Sequence, residues 1–562
     1  MTGARRQLGQ VIGEVPDWKP HERPMMPGSP STPDFSNPVR LGYGLVALLL
    51  GLTGGLGTAL VAVNLPAIQG ELGLDPVQGA WLSTVYVMFN VSMNLLVIKY
   101  RQQFGLTSFV MVFLSIYALA AFAHLATDSF TGALAVRALS GVAGAALGVL
   151  AVFYMLQAFP AKLRLPALIL GIGVSQLGMP LARIISPDLL DLGNWHGLYV
   201  LEAGLALSCL AAVLILRLPP GVRIHAFERR DFFSFVLLSG GLGLIVAVAG
   251  LGRVEWWFEA PWLGWALALA VILIAGGAAF EHHRADPLVD TRWLFTGSFF
   301  RFAVSILLVR VLLSEQTFGS TGLLQTVGMG AEQLRHLYGV VLMATVSGVL
   351  VSAFSLLISP KLVIIQVLLS LILIAVGAFM DAGATAQTHP VNLYVSQALL
   401  GFAGAMFMGA AVIIGVGQLL ARGFGSVVTF AVMFGVTQVL GGVLGAAALS
   451  TFQVMRAQHH GAYLSEAIVG SDPQAAALLQ TYGGAFASTV ADRSAASLNG
   501  VSTLAQQVTQ QANILAFNDV FFVIGVAAVL QLIVSLALIV RQAIKAKTNP
   551  QPAGDVAGAV AI

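Results

Sequence analysis

Long apolar runs follow one another from Leu41 to Val540, separated by short clusters of Gly, Pro and charge. A helix needs about 20 mostly apolar residues to cross the hydrocarbon core of a bilayer. Runs near 42–64, 79–98, 106–126, 130–153, 164–185, 196–216, 232–251, 261–280, 299–321, 335–358, 361–381, 391–419, 424–447 and 518–540 meet that length, which predicts an all-α integral membrane protein of about 14 spans. Residues 1–41 alternate proline with charge and hold no apolar core, so they predict a disordered tail and not a cleaved signal. Residues 448–517 make one long Ala/Gln/Ser-rich segment, with helix-like stretches at 474–480 and 501–516; residues 541–562 form a second tail.

The positions of Lys and Arg orient the chain. An even number of spans puts both termini on one side, and that side collects the Lys/Arg of both tails together with Lys99, Arg101, Lys162, Arg164, Arg217, Arg284, Lys361 and Arg422. The opposite loops hold little beyond Arg183, Arg253, Arg335, Arg456 and Arg493. This bias of roughly four to one predicts cytoplasmic termini, a multi-pass protein and a 448–517 segment on the external side. That segment reads either as a solvated connector or as a docking surface for an external partner.

Composition adds exclusions. Hydrophobic residues make up 57% of the chain and charged ones 9%, against about 25% charged in soluble domains, so length does not count soluble domains here. The net charge of +3 is what positive cytoplasmic loops produce and calls for no nucleic acid. A lone Cys209 inside an apolar run supports neither an internal disulfide nor a thiolate metal site, and no cofactor is expected. His282-His283 and His459-His460 lie in no ligand set.

The chain contains an internal repeat. Arg137-Ala-Leu-Ser-Gly141-Val-Ala-Gly144-Ala145 matches Gln397-Ala-Leu-Leu-Gly401-Phe-Ala-Gly404-Ala405 at six of nine positions, and the next span in each case carries Gly173-Val-Ser-Gln176 or Gly435-Val-Thr-Gln438. Two matched motifs in the same order predict two parallel six-span halves, 42–216 and 299–540, with two spans inserted between them in 217–298. Gly141, Gly144, Gly401 and Gly404 read as close helix contacts.

Ionisable residues inside spans are expensive and mark pathways. Arg137 and Arg310 fall near mid-span, Glu315 and Glu202 farther out. The two arginines either form buried pairs with carboxylates or line a water-filled path. Residues 310 and 315 lie about 140° apart around a straight helix, so they cannot pair along it. Gln176, Gln316, Gln325, Gln397 and Gln438 fall at comparable depth and complete the candidate path; Glu315 is the candidate proton carrier.

These residues resemble the major facilitator superfamily, and in particular its fourteen-span drug:proton antiporters of multidrug or weak-acid type. Arg137 with Gly141 and Gly144 is similar to the fourth-span signature, and Gly171, Gly173, Gly178 and Pro180 to the fifth-span glycine/proline signature. Asn194-Trp195-His196-Gly197-Leu198-Tyr199, Val63-Asn64-Leu65-Pro66 and Ala516-Phe517-Asn518-Asp519-Val520-Phe521 resemble further span boundaries. Three places depart from the pattern: Gly57 stands where the family usually has an acid, Ile98–Gly105 replaces its Gly/Asp/Arg loop, and Leu181-Ala182-Arg183 ends the fifth-span motif. The resemblance implies a major facilitator fold and proton-coupled efflux of small amphiphilic, anionic or weak-acid compounds by alternating access. It also implies that Gly173, Gly178 and Pro180 act in packing and gating, and that a periplasmic adaptor and outer-membrane channel act as partners. The competing reading is a membrane transferase or hydrolase, or a transporter working in the uptake direction.

Overall fold

The computed structural model describes residues 9–19, 22–468, 473–486 and 493–548, and its regular elements are helices. In chain order they are α1 (Asn37–Val63), α2 (Leu65–Leu72), α3 (Pro76–Met93), α4 (Val97–Leu125), α5 (Phe130–Ala158), α6 (Arg164–Gln176), α7 (Gly178–Ile215), α8 (Arg229–Leu251), α9 (Pro261–His282), α10 (Thr291–Leu294), α11 (Gly297–Leu312), α12 (Ser320–Thr326), α13 (Ala331–Ser355), α14 (Leu362–Asp381), α15 (Tyr394–Arg422), α16 (Val427–Ala467), α17 (Pro473–Phe486) and α18 (Arg493–Thr548). A π-turn, Glu315–Gly319, lies between α11 and α12, and the three pieces form one candidate span, Gly297–Thr326. The end of the bundle where α1 begins is here called proximal, the other end distal.

Among the described residues 13 helical segments are long and apolar enough to cross a bilayer, where the sequence predicts about fourteen. The difference is the run at 79–98. Its helix, α3, mixes Gln78, Ser83, Thr84, Asn90 and Ser92 with its apolar residues and gives way to a turn at Asn94–Leu96. These polar groups are tolerable because protein covers them: α3 packs on α5 and α8. Its start is fixed by a capping box, in which the Asp75 carboxylate accepts from Gln78 N at 2.8 Å and closes the open N–H groups of the first turn.

α1–α7 pack around Tyr43, Leu50, Phe109, Leu147 and Tyr154; α11–α18 pack around Phe299, Leu371, Phe407 and Ile524. α7 serves two candidate spans, Ala161–Asp191 and Trp195–Ile215, and turns back between them so tightly that a side chain on Gly197 would meet the Leu189 carbonyl. α8 sits against α3 and α16, and α9 packs on α8 with Trp265, Val271 and Ile272 facing outward. Apolar faces this exposed belong in hydrocarbon, where the helices satisfy their own backbone groups.

Small residues set the closest contacts. A Cβ on Gly55 would come within 2.5 Å of the Ser175 carbonyl and 3.0 Å of Gly178 Cα, so α1 and the start of α7, with buried Pro180, touch backbone to backbone. Gly141 and Gly144 bring α5 onto Tyr86, while Gly401 and Gly404 bring α15 within van der Waals reach of Thr345 and Leu313.

One tail expectation is corrected. The stretch 1–41, expected to be disordered, is folded over its described part. Gly28 N donates to Val222 O at 2.8 Å, Ser31 N to Pro220 O at 3.1 Å and Gln157 Nε2 to Ser31 O at 3.0 Å, and Val11 bridges Ile224. The linker after α7 supplies the backbone partners that a proline-rich segment cannot supply itself. Residues 1–8, 20 and 21 lie outside the described residues. The distal segment 448–517 is helical over its described part, with the stretches 474–480 and 501–516 inside α17 and α18: α16 continues to Ala467, α17 packs on α18, and α18 begins at Arg493. Of the expected tail 541–562, residues 541–548 continue α18 and residues 549–562 lie outside the described residues.

Candidate functional site

The second half holds two enclosed carboxylates that share one donor. Glu315 opens the π-turn and is wholly buried; Asp381, the last residue of α14, is 2% exposed. Gln397, in the first turn of α15, donates from one amide nitrogen to both, at 3.0 Å to Glu315 Oε1 and 2.8 Å to Asp381 Oδ2. Gln316 Nε2 in turn donates to the Gln397 backbone carbonyl at 3.1 Å. Glu315 Oε2 has no hydrogen-bond partner among the described residues. A π-turn carries one extra residue, a device that re-aims side chains and recurs at functional sites; here it brings Glu315 onto Gln397.

At the repeat-related position in the first half stands Arg137. Its Nε donates to Leu82 O and its Nη1 to Gly57 O, both at 3.3 Å, and its guanidinium lies 4.4 Å above the Tyr86 ring. Among the described residues no carboxylate forms an ion pair with it, so the expected alternative of a buried Arg–carboxylate pair is not what holds Arg137. Beside it, Tyr117 OH donates to Glu202 Oε1 at 2.9 Å, with Glu202 2% exposed. A side chain on Gly57 would collide with the Tyr117 hydroxyl, and its Cβ would lie 3.4 Å from Glu202 Oε1. The space left at Gly57 is thus taken by a tyrosine–carboxylate pair whose acid comes from α7.

The remaining candidates separate. Arg310 is half-buried against α16, where a Cβ on Gly441 would come within 2.7 Å of its own Cβ, and it pairs with no carboxylate among the described residues. Gln176 lines a small enclosed space with Ile169, Gly173, Val349 and Met408, where α6 meets α13 and α15. Gln438 is half-buried on α16. Gln325 is exposed at the end of α12, beyond the π-turn, whose extra residue rotates everything after it by about 100° relative to a straight helix.

The halves touch where α6 and α7 meet α13 and α15, and where α3 meets α16. A Cβ on Gly173 would stand 2.5 Å from Val349 Cγ1. At the distal end Arg335 pairs with Asp188, and the Arg183 guanidinium lies 5.5 Å from the Tyr338 ring. At the proximal end Leu95 and Ile98 join the core of the second half.

The start of α4, where the sequence departs from the family pattern, carries a buried ionic cluster. Lys99 Nζ lies 2.7 Å from Asp231 Oδ2; Arg284 reaches Asp231 at 2.7 Å, Glu281 at 2.6 Å and Glu228 at 2.9 Å. Burial opposes the charge on Arg284, but the carboxylates of Glu281, Asp231 and Glu228 outweigh it and hold the guanidinium above the ordinary arginine range. The cluster ties α4 to the inserted helices α8 and α9. Such a cluster fixes geometry more than it adds stability.

Asp381, Tyr117 and Tyr86 join the site without a sequence signature. Asp381 ends an apolar run, where an acid ordinarily marks emergence into water. The available signal was the repeat itself, since Gln397 replaces an arginine and an amide facing inward needs polar partners.

The chain matches the model of the major facilitator superfamily over residues 47–446. Its fold is similar to those of many solved structures, among them the following three. The human organic anion transporter TETRAN aligns at 13% identity and TM-score 0.53 over 88% of this chain and 100% of that one. A bacterial homologue of the human drug peptide transporters aligns at 12% identity and TM-score 0.53 over 91% and 100%. The proton:xylose symporter XylE aligns at 12% identity and TM-score 0.51 over 89% and 95%.

Proposed function

The chain belongs to the major facilitator superfamily and is a transporter rather than an enzyme, and on that premise we propose that it exports small amphiphilic, anionic or weak-acid compounds in exchange for protons by alternating access. The observation that carries this reading is the pair Glu315 and Asp381 under the single Gln397 amide. Two carboxylates that share one donor away from water do not both carry charge cheaply, so the pair retains a proton until one face of the bundle opens to water. Thr317 and Ser320 around the π-turn bond to backbone carbonyls within their own chain segment, while Ser314 reaches both Arg310 O and Gly442 O of α16, so movement of the turn is coupled to α16.

The charge of the substrate follows from the arginines. Arg137 meets carbonyl oxygens and an aromatic face in place of a carboxylate, and Arg310 has no carboxylate partner among the described residues, so both keep charge and donors for an anion. The fold itself selects no substrate, since folds similar to this one belong to proteins described as carrying organic anions, peptides and a sugar.

In this reading the proximal end and both termini are cytoplasmic, α3 counts as the fourteenth crossing, and the chain is of the drug:proton antiporter type in a bacterial inner membrane. The distal extension of α16, α17 and α18 then meets a periplasmic adaptor leading to an outer-membrane channel. The test is purified protein in liposomes with an imposed pH gradient: uphill movement of an organic anion against proton flow is the expected result, and movement that ignores the gradient ends the proposal.

A further inference from the structure

A second binding surface lies on the flank of the molecule near the proximal end. It is a groove of about 640 Å³ between α1, the end of α5, α6 and α13. Leu45, Leu48, Leu170 and Val346 line its walls, Arg40 stands at its mouth, and no acidic residue is among its lining residues. The volume lies within the range of about 300–1,000 Å³ typical of small-molecule sites. Leu41, Leu45 and Leu48 are 66%, 58% and 41% exposed, so the groove opens sideways into the bilayer and not into water.

Arg40 is placed at the first turn of α1, at headgroup depth. One hydrogen bond, Nε to Phe35 O at 3.0 Å, fixes it, and its pair with the exposed Asp34 is long at 4.0 Å. Its other donors therefore remain available beside an apolar slot. Lys162, exposed two residues beyond the lining Pro160, adds a second positive charge near that rim. A slot for one chain with cationic donors at interfacial depth has a definite complement.

We propose that this groove binds a single-chain anionic amphiphile from the proximal leaflet, with the chain along α1 and α6 and the anionic head on Arg40. A ligand there touches α1, α5 and α6 of one half and α13 of the other, at the seam where Gly173 meets Val349, so it is an access site to the transport path. That role rests on the export reading above; the binding itself does not.

The experiment uses the full chain in phosphatidylcholine nanodiscs and a sixteen-carbon fatty acid carrying a mid-chain diazirine, with labelled residues mapped by mass spectrometry. Labelling should concentrate on α1, α6 and α13, with palmitate competing and hexadecanol not. Arg40→Gln should cut labelling about tenfold or more, the loss expected for a charge-assisted hydrogen bond, and Arg40→Lys should keep most of it. Val346→Trp, which fills the slot, should remove labelling whatever the headgroup, with folding of each variant checked by its thermal transition. Labelling spread evenly over outward faces such as α9 and α14, equal competition by hexadecanol, or equal competition by a two-chain anionic phospholipid would overturn the proposal. No gradient enters this assay, so a failure of proton-driven transport leaves the groove standing, and absent labelling leaves the export reading standing.

Discussion

Glu315→Gln is the sharpest perturbation of the proton site. It keeps side-chain size and a hydrogen-bonding oxygen for Gln397 while removing one of two carboxyls that share the 3.0 Å and 2.8 Å bonds from that amide. If the pair releases one proton per cycle, a gradient of one pH unit supplies about 1.4 kcal/mol, a tenfold accumulation of substrate at zero membrane potential. Proteoliposomes with an acidic lumen and a clamped potential measure this directly. The acid lumen is useful because passive distribution drives a weak acid the other way, so accumulation reports on coupling. Wild type should approach the tenfold ratio, and Glu315→Gln should fall to about one while still exchanging labelled for unlabelled substrate. Asp381→Asn should match it, and the double variant should lose no more than either single one, because groups acting as a unit are not additive. An intact tenfold ratio in Glu315→Gln, or losses that multiply in the double variant, would refute the shared-proton argument.

Other expectations address the rest of the molecule. Arg137→Ala should slow transport of anionic substrates by about 10- to 100-fold, the worth of a charged hydrogen bond, and spare neutral analogues, whereas a uniform loss with a lowered thermal transition would make it structural. Arg284→Met should destabilise the protein by about 3–5 kcal/mol, since it strands buried carboxylates, as read from thermal unfolding. Because Arg284 is held above the usual arginine range, its stabilisation is fully present below that range, and raising the pH from 7 to 10 should not weaken the wild-type cluster. Asp188→Lys should open the distal end, shifting the balance of states by about fivefold at most for an exposed pair, and adding Arg335→Asp should restore it, as followed by cysteine cross-linking across the seam. Deleting about residues 470–505 should leave liposome transport unchanged but abolish resistance in cells; loss in liposomes would assign the segment to the transporter's own fold.

Length and periodicity carried most of the helices, because a bilayer demands self-satisfied backbone for about twenty residues at a time. The repeat was legible because Gly141, Gly144, Gly401 and Gly404 meet the same packing demand twice. α3 falls short of the apolar length of the other thirteen segments because a helix wrapped by neighbours need not be as apolar as one facing lipid. The π-turn left no trace, since no propensity encodes one extra residue in a turn, and that single residue resets the helical register between Glu315 and Gln325. Asp381 was hidden by its position at a helix end, where direction depends on tertiary packing. The folded N-terminal segment was hidden for a related reason: its partners lie far along the chain, on the linker at 220–225.

That last pairing has a consequence for how the protein is made. Gly9, Ile12, Gly28 and Ser31 leave the ribosome well before the backbone groups they bond to, on Pro220, Val222, Arg223 and His225, which follow only after the rest of the first half has been synthesised. The segment that holds them therefore waits on the cytoplasmic side of the proposed topology while helices insert, and closes over α4 and α5 as a late event in the biogenesis of that half. A bulky domain fused ahead of it would hinder the closing step and leave insertion untouched.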